Sequence, residues 1–526
     1  MVEQASQEDV ADDDFVDERR GWLHGRNKLV QCVRLMHNFI PKKFRIAWQG
    51  NLRSMVQRLL GNRSFISTGD GCSGSSIWMH AMIAFGFYWN QEYGVDMAEF
   101  KHVLASESDA DKRQILLDQH EIQMLSADVE EFQGSHVTDV RTGERHMLPE
   151  AVLFGAGTSC KDLSKTNNQR TVGALRSKKG TSGRTFDSVK QYVVKTRPTI
   201  TFMENVPLIG QEYEFDGLQT SDKAFVVQSF EEEGFTVVFT EMHARERGAA
   251  KELIRAWFVI FNIPREVADS IGLEQMFFEV LNNLKTEPSP CEEFFLTAEK
   301  IEKEFPYTLH KRGLKRQREE AGWKSTHEKM FSSAGLEWPP DTSICTGSFL
   351  QREMEVAVFA DAKFPAKKAG WDFFDTLLSC ERSMHVNKSA ELRDPWRPWV
   401  PTLTGMSSVA CRRTGSNGTE LIRRLNPVEG FSMNLWTPDM WRRPQQQVDG
   451  SGSFDVINDM AGNMWSLHHF VPLAISAFGC VNWNVIQQML WKAKCDRPVA
   501  SSAGEAFECI SDSGSDSADL SLERGG

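Results

Sequence analysis

A chain of 526 residues is long enough for two or three domains, and a composition of 40% hydrophobic and 25% charged residues suits a globular protein with a sizeable core. No apolar run approaches the roughly 20 residues of a membrane span, and the acidic start, MVEQASQEDVADDDFVDERR, lacks the apolar core of a secretory signal and is too acidic for a transit peptide. The formal net charge of −12 argues against a general nucleic-acid coat while leaving room for local basic patches; ten scattered cysteines without a CxxC pair exclude a zinc ribbon and a disulfide scaffold and fit a reducing compartment, cytosol or nucleus.

Residues 1–62 read as an acidic, disordered N-terminus followed by a helical lead-in, whose apolar spacing over 27–60 is interrupted by Pro41. From Phe65 to Pro264 short apolar runs alternate with helix-like stretches. Strands are expected at Arg63–Ser67, His102–Ser106, Ala151–Gly155, Thr199–Met203, Thr236–Thr240 and Trp257–Asn262. Strands separated by helices predict parallel βαβ units, so 63–264 reads as an α/β domain. Residues 265–420 carry mixed charge and many Trp and Pro without that rhythm, and read as a second domain inserted after the last strand. Helical spacing returns over 421–495, notably in GNMWSLHHFVPLAISAFGCVNWNVIQQML, and 496–526 form a Ser/Asp-rich tail expected to be disordered.

Five segments carry side chains suited to chemistry. In FISTGDGCSGSSIW (Phe65–Trp78) a strand enters a Gly-rich turn, where glycines permit a sharp bend and close approach of backbone to a ligand; an ordinary βα turn reads the same way. Glu107 ends the second strand, where a carboxylate can accept from ribose hydroxyls, or be a solvated loop acid. Asp128 stands similarly after the next strand end, to accept from an adenine amino group or to cap the following helix. In AVLFGAGTSCKDLSKTNNQR, Cys160 follows a strand on a polar turn; a lone cysteine is usually a buried structural one, but Lys161 and Lys165 beside it would favour a thiolate nucleophile. In PTITFMENVPLIG, Glu204 closes a strand against apolar neighbours, which should raise its pKa and fit it to act as an acid, or simply to cap the strand end.

In this order the segments resemble the DNA cytosine-C5 methyltransferase family. The Gly-rich turn resembles its first cofactor motif, GTSCKDLS its Pro-Cys loop (GxPCQxFS), and MENV its Glu-Asn-Val motif. RRLNPVEGFSMNLW (Arg423–Trp436) is similar to its Arg-x-Leu-Thr-Pro-x-Glu segment, and AGNMWSL (Ala461–Leu467) to its final Gly-Asn motif. The resemblance covers roughly residues 63–485. There are departures. Ser159 replaces the proline before the cysteine; two glycine registers fit, Gly69 with Gly71 or Gly71 with Gly74; and the Gln-x-Arg-x-Arg strand keeps only Arg255, with Trp257 where a second arginine would stand.

The resemblance implies a Rossmann-like S-adenosylmethionine-dependent methyltransferase fold. The catalytic domain would be 63–264, completed by 421–495, with an inserted target-recognition domain at 265–420. Cys160 would add to C6 of a flipped-out cytosine, Glu204 would donate to N3, and Arg255 would steady the cytosine O2 or the thiolate side of the site. Phe65, Gly69, Gly71, Gly74, Glu107, Asp128 and Asn463 would bind S-adenosylmethionine. Lys161, Lys165, Arg170, Lys178, Lys179 and Arg184, in a mobile basic segment, and Lys311, Arg312, Lys315 and Arg316, in HKRGLKRQR, would meet phosphates. A charge run also suits a solvated face or, in the second cluster, a nuclear-import signal. The expected substrate is double-stranded DNA, the expected location the nucleus, with no metal and no membrane. A tRNA cytosine-C5 methyltransferase of the same fold, and a non-catalytic nucleic-acid-binding relative, are the alternatives.

Overall fold

The structure, a computed structural model, describes residues 29–495 except 31–32, 35, 37, 39, 41, 95–98, 165–166, 168–169, 171, 179, 298, 302–319, 347–350, 367–369, 377–394, 404–407, 417 and 436–452. The described residues up to Trp483 form one compact unit and those from Asn484 a second. In chain order the first elements are α1 (Lys42–Leu60), β1 (Phe65–Gly71), α2 (Trp78–Tyr93), β2 (Glu99–Ser106), α3 (Ala110–Gln119), β3 (Leu125–Ser126) and β4 (Leu153–Gly157). Next come α4 (Gly180–Thr196), β5 (Ile200–Asn205), α5 (Asp222–Glu231), β6 (Thr236–His243), β7 (Ile254–Phe261) and α6 (Leu273–Asn283).

β1–β7 build one seven-stranded sheet in the order β3-β2-β1-β4-β5-β7-β6. All neighbours are parallel except β7, which runs antiparallel to both β5 and β6. The order reverses between β1 and β4, and that switch point opens a crevice at the carboxyl ends of the strands. This is the Rossmann-like α/β sheet the sequence predicts. Each of the six expected strands is present, with shifted ends. β1 runs on through its glycines because Gly69 lies flat between neighbours: a Cβ there would stand 3.1 Å from that of Ala151 and 3.4 Å from that of Leu104. β7 begins at Ile254 because it pairs back on β6 as far as His243.

Side chains alternate across the strands, so each sheet face receives its own helices. On one face Phe154 of β4 stacks near Tyr192 of α4, with ring centroids 4.4 Å apart, in a core shared with Phe186, Val189, Val226 and Phe230. On the other, Phe202 of β5 meets Phe470 and Phe478 at 5.1 and 6.3 Å. The next two residues of β4 on that second face are Gly155 and Gly157, and their missing side chains leave room for two tryptophans described below.

The later elements are α7 (Glu320–Ser333), β8 (Cys345–Thr346), α8 (Gln351–Lys363), β9 (Gly370–Asp375), β10 (Val409–Gly415), β11 (Gly418–Arg424), α9 (Pro427–Ser432), α10 (Ser453–Asn463), α11 (Leu467–Gly479) and α12 (Trp483–Cys495). β8-β11-β10-β9 form a separate four-stranded sheet, so its strand β11 runs across position 420. The Arg-Leu-Asn-Pro-Val-Glu segment leads from β11 of this sheet into α9. Asn426 caps α9 in a reciprocal box with Glu429, and Arg423 grips the buried Glu429 carboxylate with two nitrogens at 2.9 and 3.0 Å. The same carboxylate accepts the Leu296 N–H at 2.9 Å. α11 is buried along its whole length; Trp48 of α1 donates to its Ile475 carbonyl at 3.0 Å. No single helix among the described residues is long and apolar enough to cross a membrane.

Candidate active site

The turn after β1 is organised by one residue, Asp70. It is 2% exposed, and its carboxylate accepts the Ser76 hydroxyl at 2.5 Å, the Trp78 indole N–H at 3.1 Å and the Ser73 hydroxyl, with His102 Nε2 at 3.3 Å. Burial works to raise its pKa, but the charge and hydrogen bond of His102 and the two serine bonds outweigh it and hold the carboxyl below its ordinary range. The backbone then turns through left-handed conformations at Cys72, Gly74 and Ser76, with φ of 57°, 54° and 46°. Glu107, just after β2, braces this turn: one oxygen accepts the Gly74 N–H at 3.0 Å, the other the Asp109 N–H at 2.9 Å.

Cys160 follows β4. Its carbonyl accepts the N–H groups of Leu163 and Ser164 at 3.0 and 2.8 Å, which closes a tight turn directly after the thiol. The residue is only partly exposed. Burial pushes its thiol up, as does the charge of Glu204, while Arg255 and Lys161 pull it down; the net shift is upward. The neighbouring lysine therefore does not by itself make a resting thiolate, because desolvation and a facing carboxylate win.

Glu204 is the penultimate residue of β5, and Arg255 lies on β7, which pairs with β5. Arg255 Nε stands 2.6 Å from Glu204 Oε1, and the side chains are 14% and 11% exposed. Burial raises the Glu204 carboxyl above its ordinary value although Arg255 opposes it by charge and hydrogen bond. Asn205, the next residue, donates to the Thr158 hydroxyl at 2.9 Å and so links the Glu strand to the Cys loop.

These groups share a cavity of about 210 Å³, lined among others by Gly71, Cys72, Gly74, Ser159, Cys160, Lys161, Glu204, Arg255 and Asn463. Trp78 and Trp465 form its aromatic wall. Trp465 packs on the buried Trp257, centroids 4.8 Å apart, so the residue standing in place of a second arginine supports that wall. Gly155 and Gly157 are required beneath: a Cβ on Gly155 would lie 3.0 Å from Trp78, and one on Gly157 3.2 Å from the Trp465 indole nitrogen. Sequence reasoning missed Asp70, Trp78 and Trp465. An acid inside an apolar strand and a tryptophan two residues after Gly-Asn were the available signals.

The other predicted cofactor residues lie outside this lining. Phe65 begins β1 under the Lys101 ammonium, 4.8 Å from its ring centroid, and Gly69 is packed between strands. Asp128 caps a short 3-10 turn by accepting the Glu130 N–H at 2.8 Å. Glu107 and Asp128 still act on the cavity electrically: after burial itself, Glu107, Asp70 and Asp128 push the Cys72 thiol up to about 12. Asn463 lines the cavity and donates to Asp459 at 2.7 Å.

Of the predicted phosphate contacts, Lys161 borders the cavity and Arg170 borders a small cleft with Asp162, Tyr213 and Asp222. Lys178 pairs with Asp187 at 2.7 Å and Arg184 with Glu130 at 3.2 Å. Lys165, Lys179, Lys311, Arg312, Lys315 and Arg316 fall outside the described residues. Among the described residues no cluster of three or more His, Cys, Asp or Glu side chains could hold a metal ion.

The DNA (cytosine-5-)-methyltransferase DMT5 of Cryptococcus neoformans var. grubii is 31% identical over 154 residues, a match spanning 29% of this chain and 6% of that protein. Among solved structures, S. pombe Dnmt2 methyltransferase aligns with 81% of this chain and 98% of its own at 9% identity and a TM-score of 0.37. The Entamoeba histolytica methyltransferase EhMeth aligns with 79% of this chain and 98% of its own at 10% identity and a TM-score of 0.34. With scores this low, the strand order of the sheet carries the fold. The C-5 cytosine-specific DNA methylase family matches residues 88–449, from α2 through Glu204, Arg255 and the Glu429 segment, and this chain belongs to that family.

Proposed function

We propose that this chain transfers a methyl group from S-adenosylmethionine to C5 of a cytosine flipped out of double-stranded DNA. The observation that carries the reading is that Cys160, Glu204 and Arg255 share one cavity with Gly71, Gly74 and Asn463. The family's cofactor fits the residues present: the turn Gly71–Ser76 offers backbone, Trp78 and Trp465 offer aromatic faces, and the glycines of β4 keep the floor open. When bound, that cofactor supplies an electrophilic methyl group.

The chain's own groups do the rest. Cys160 gives its proton to solvent and its Sγ adds to C6 of the base, opening the C5–C6 double bond, while Glu204, whose raised pKa favours the acid form, gives a proton to N3. The electrons displaced onto C5 make it the nucleophile toward the methyl group. Water then takes the C5 proton, the Cys160 thiolate leaves C6 as the C5–C6 double bond re-forms, and N3 returns its proton to Glu204. Arg255 counterbalances both steps, since its charge stabilises the thiolate and returns Glu204 to its ionised form. The basic segment after Cys160 contacts phosphates, residues 265–420 contribute target recognition, and the enzyme acts in the nucleus.

Transfer of tritiated methyl groups to defined DNA and RNA duplexes and loops tests the reading. Label in DNA is expected. Label in RNA alone assigns an RNA methyltransferase, and label in neither assigns a non-catalytic relative.

A further inference from the structure

Ser159 stands where the family's loop has proline, and the exchange creates a backbone N–H that proline lacks. That N–H donates to Thr185 Oγ1 of α4 at 3.2 Å. The Thr185 hydroxyl proton is committed elsewhere, to the Ser182 carbonyl at 3.2 Å, which leaves its oxygen as acceptor. On the far side of Cys160 the same helix turn holds the loop again: Ser182 N–H donates to Asp162 Oδ2 at 2.7 Å and Asp162 N–H returns a bond to Ser182 Oγ at 3.0 Å. Gly180 makes the approach possible, since a Cβ there would lie 2.6 Å from Asp162 Oδ2. Cys160 is thus flanked by two attachments to one helix turn, one at the residue before it and one two residues after.

We propose that Thr185 is a positioning residue for the Cys160 thiol, acting through the Ser159 N–H and taking over the loop-fixing work of the absent proline. The proposal rests on Cys160 being the nucleophile. Proline restricts a loop by fixing its own φ; here a hydrogen bond to a helix turn fixes the same peptide from outside. The restraint therefore depends on two residues far apart in sequence, and it vanishes if position 159 becomes proline or position 185 loses its hydroxyl.

The dependence makes the test a double-mutant cycle. Thr185→Val, Ser159→Pro, the double variant and Thr185→Ser are compared as full chains. One readout is alkylation of Cys160 by iodoacetamide, measured on its own peptide by mass spectrometry. The other is the rate of covalent capture on 5-fluorocytosine DNA with S-adenosylmethionine, split into maximal rate and half-saturating DNA concentration. Thr185→Val is expected to speed alkylation several-fold and to slow maximal capture about tenfold, the worth of one well-made hydrogen bond, with half-saturation unchanged. Thr185→Ser restores both rates. In the Ser159→Pro background Thr185→Val changes either rate less than about twofold, because the bond is already gone. Equal effects in both backgrounds, or no rescue by serine, would overturn the proposal. If wild type captures neither DNA nor RNA, the proposed function fails while the alkylation cycle still decides the role of Thr185. Should Thr185→Val not fold, amide exchange decides: a wild-type Ser159 N–H exchanging like an unprotected loop amide overturns the proposal, and a protected one supports it.

Discussion

Arg255 Nε lies 2.6 Å from Glu204 Oε1, so the residue cast as proton donor is held by a cation in the resting site. The same cation acts on Cys160, and it lowers both groups against burial, which raises both. Capture of 5-fluorocytosine requires a deprotonated thiol and a protonated carboxyl, so its rate should be bell-shaped in pH. Arg255→Met removes the lowering influence from both groups. Both limbs should move to higher pH, so the whole pH–rate profile of capture is displaced upward relative to wild type. A profile that stays in place would mean that Arg255 acts only sterically.

Lys251 tests the cost of burying charge near this site. It is 1% exposed, and burial first, then Arg255, brings it down to about 7. Its folded pKa lies below the unfolded one, so between pH 7 and about 10 the unfolded chain binds more protons and stability should rise with pH. Lys251→Met should flatten that rise and leave the protein at least as stable at pH 7. Urea midpoints at pH 7 and 9.5 check it; an unaltered pH slope would show that Lys251 keeps its charge in the folded state.

Glu429 ties the end of β11 and the start of α9 to the Leu296 segment. Its carboxylate serves Arg423, the Asn426 N–H and the Leu296 N–H while fully buried. Glu429→Ala leaves a partly buried guanidinium and two N–H groups without their acceptor and should cost about 3–5 kcal/mol, the range for breaking a buried pair from one side. Equilibrium denaturation reads it, and a loss below about 1 kcal/mol would place the pair in a solvated setting.

Glu107 lies outside the cavity lining, yet its carboxylate holds the Gly74 N–H of the turn that lines it. Glu107→Ala should therefore weaken S-adenosylmethionine by roughly 1–3 kcal/mol through a slackened turn. Glu107→Gln, which retains one acceptor oxygen, should recover part of that loss. Titration calorimetry showing unchanged affinity in both variants would detach this turn from cofactor binding.

The sheet was legible because its strands are buried apolar runs, and Cys160 and Glu204 were legible because each directly follows or ends such a run. Arg255 was a matter of register, and register is decided by hairpin pairing: β7 meets β5 so that Trp257 opposes Glu204 and Arg255 reaches it from the strand's entrance. The two glycine registers are separated by packing, with Gly69 between strands and Gly71 and Gly74 on the cavity. Asp70 and Trp465 were not legible. Their importance comes from convergence, of four hydrogen-bonding side chains on one carboxylate and of two indoles over the glycines of β4, which the local signals, an acid inside a strand and a tryptophan after Gly-Asn, mark without explaining. The same limit hid the Ser159–Thr185 bond, whose partners are 26 residues apart.

The central claim is that Cys160 forms a covalent bond to cytosine C6. Full-length protein incubated with S-adenosylmethionine and DNA carrying 5-fluorocytosine should give an adduct stable to denaturation, since fluorine at C5 cannot leave as a proton does. Peptide mapping should place the base on Cys160. The adduct should be absent without S-adenosylmethionine and absent in Cys160→Ala. An adduct that persists in Cys160→Ala, or one mapped to Cys72 across the same cavity, would contradict the assignment.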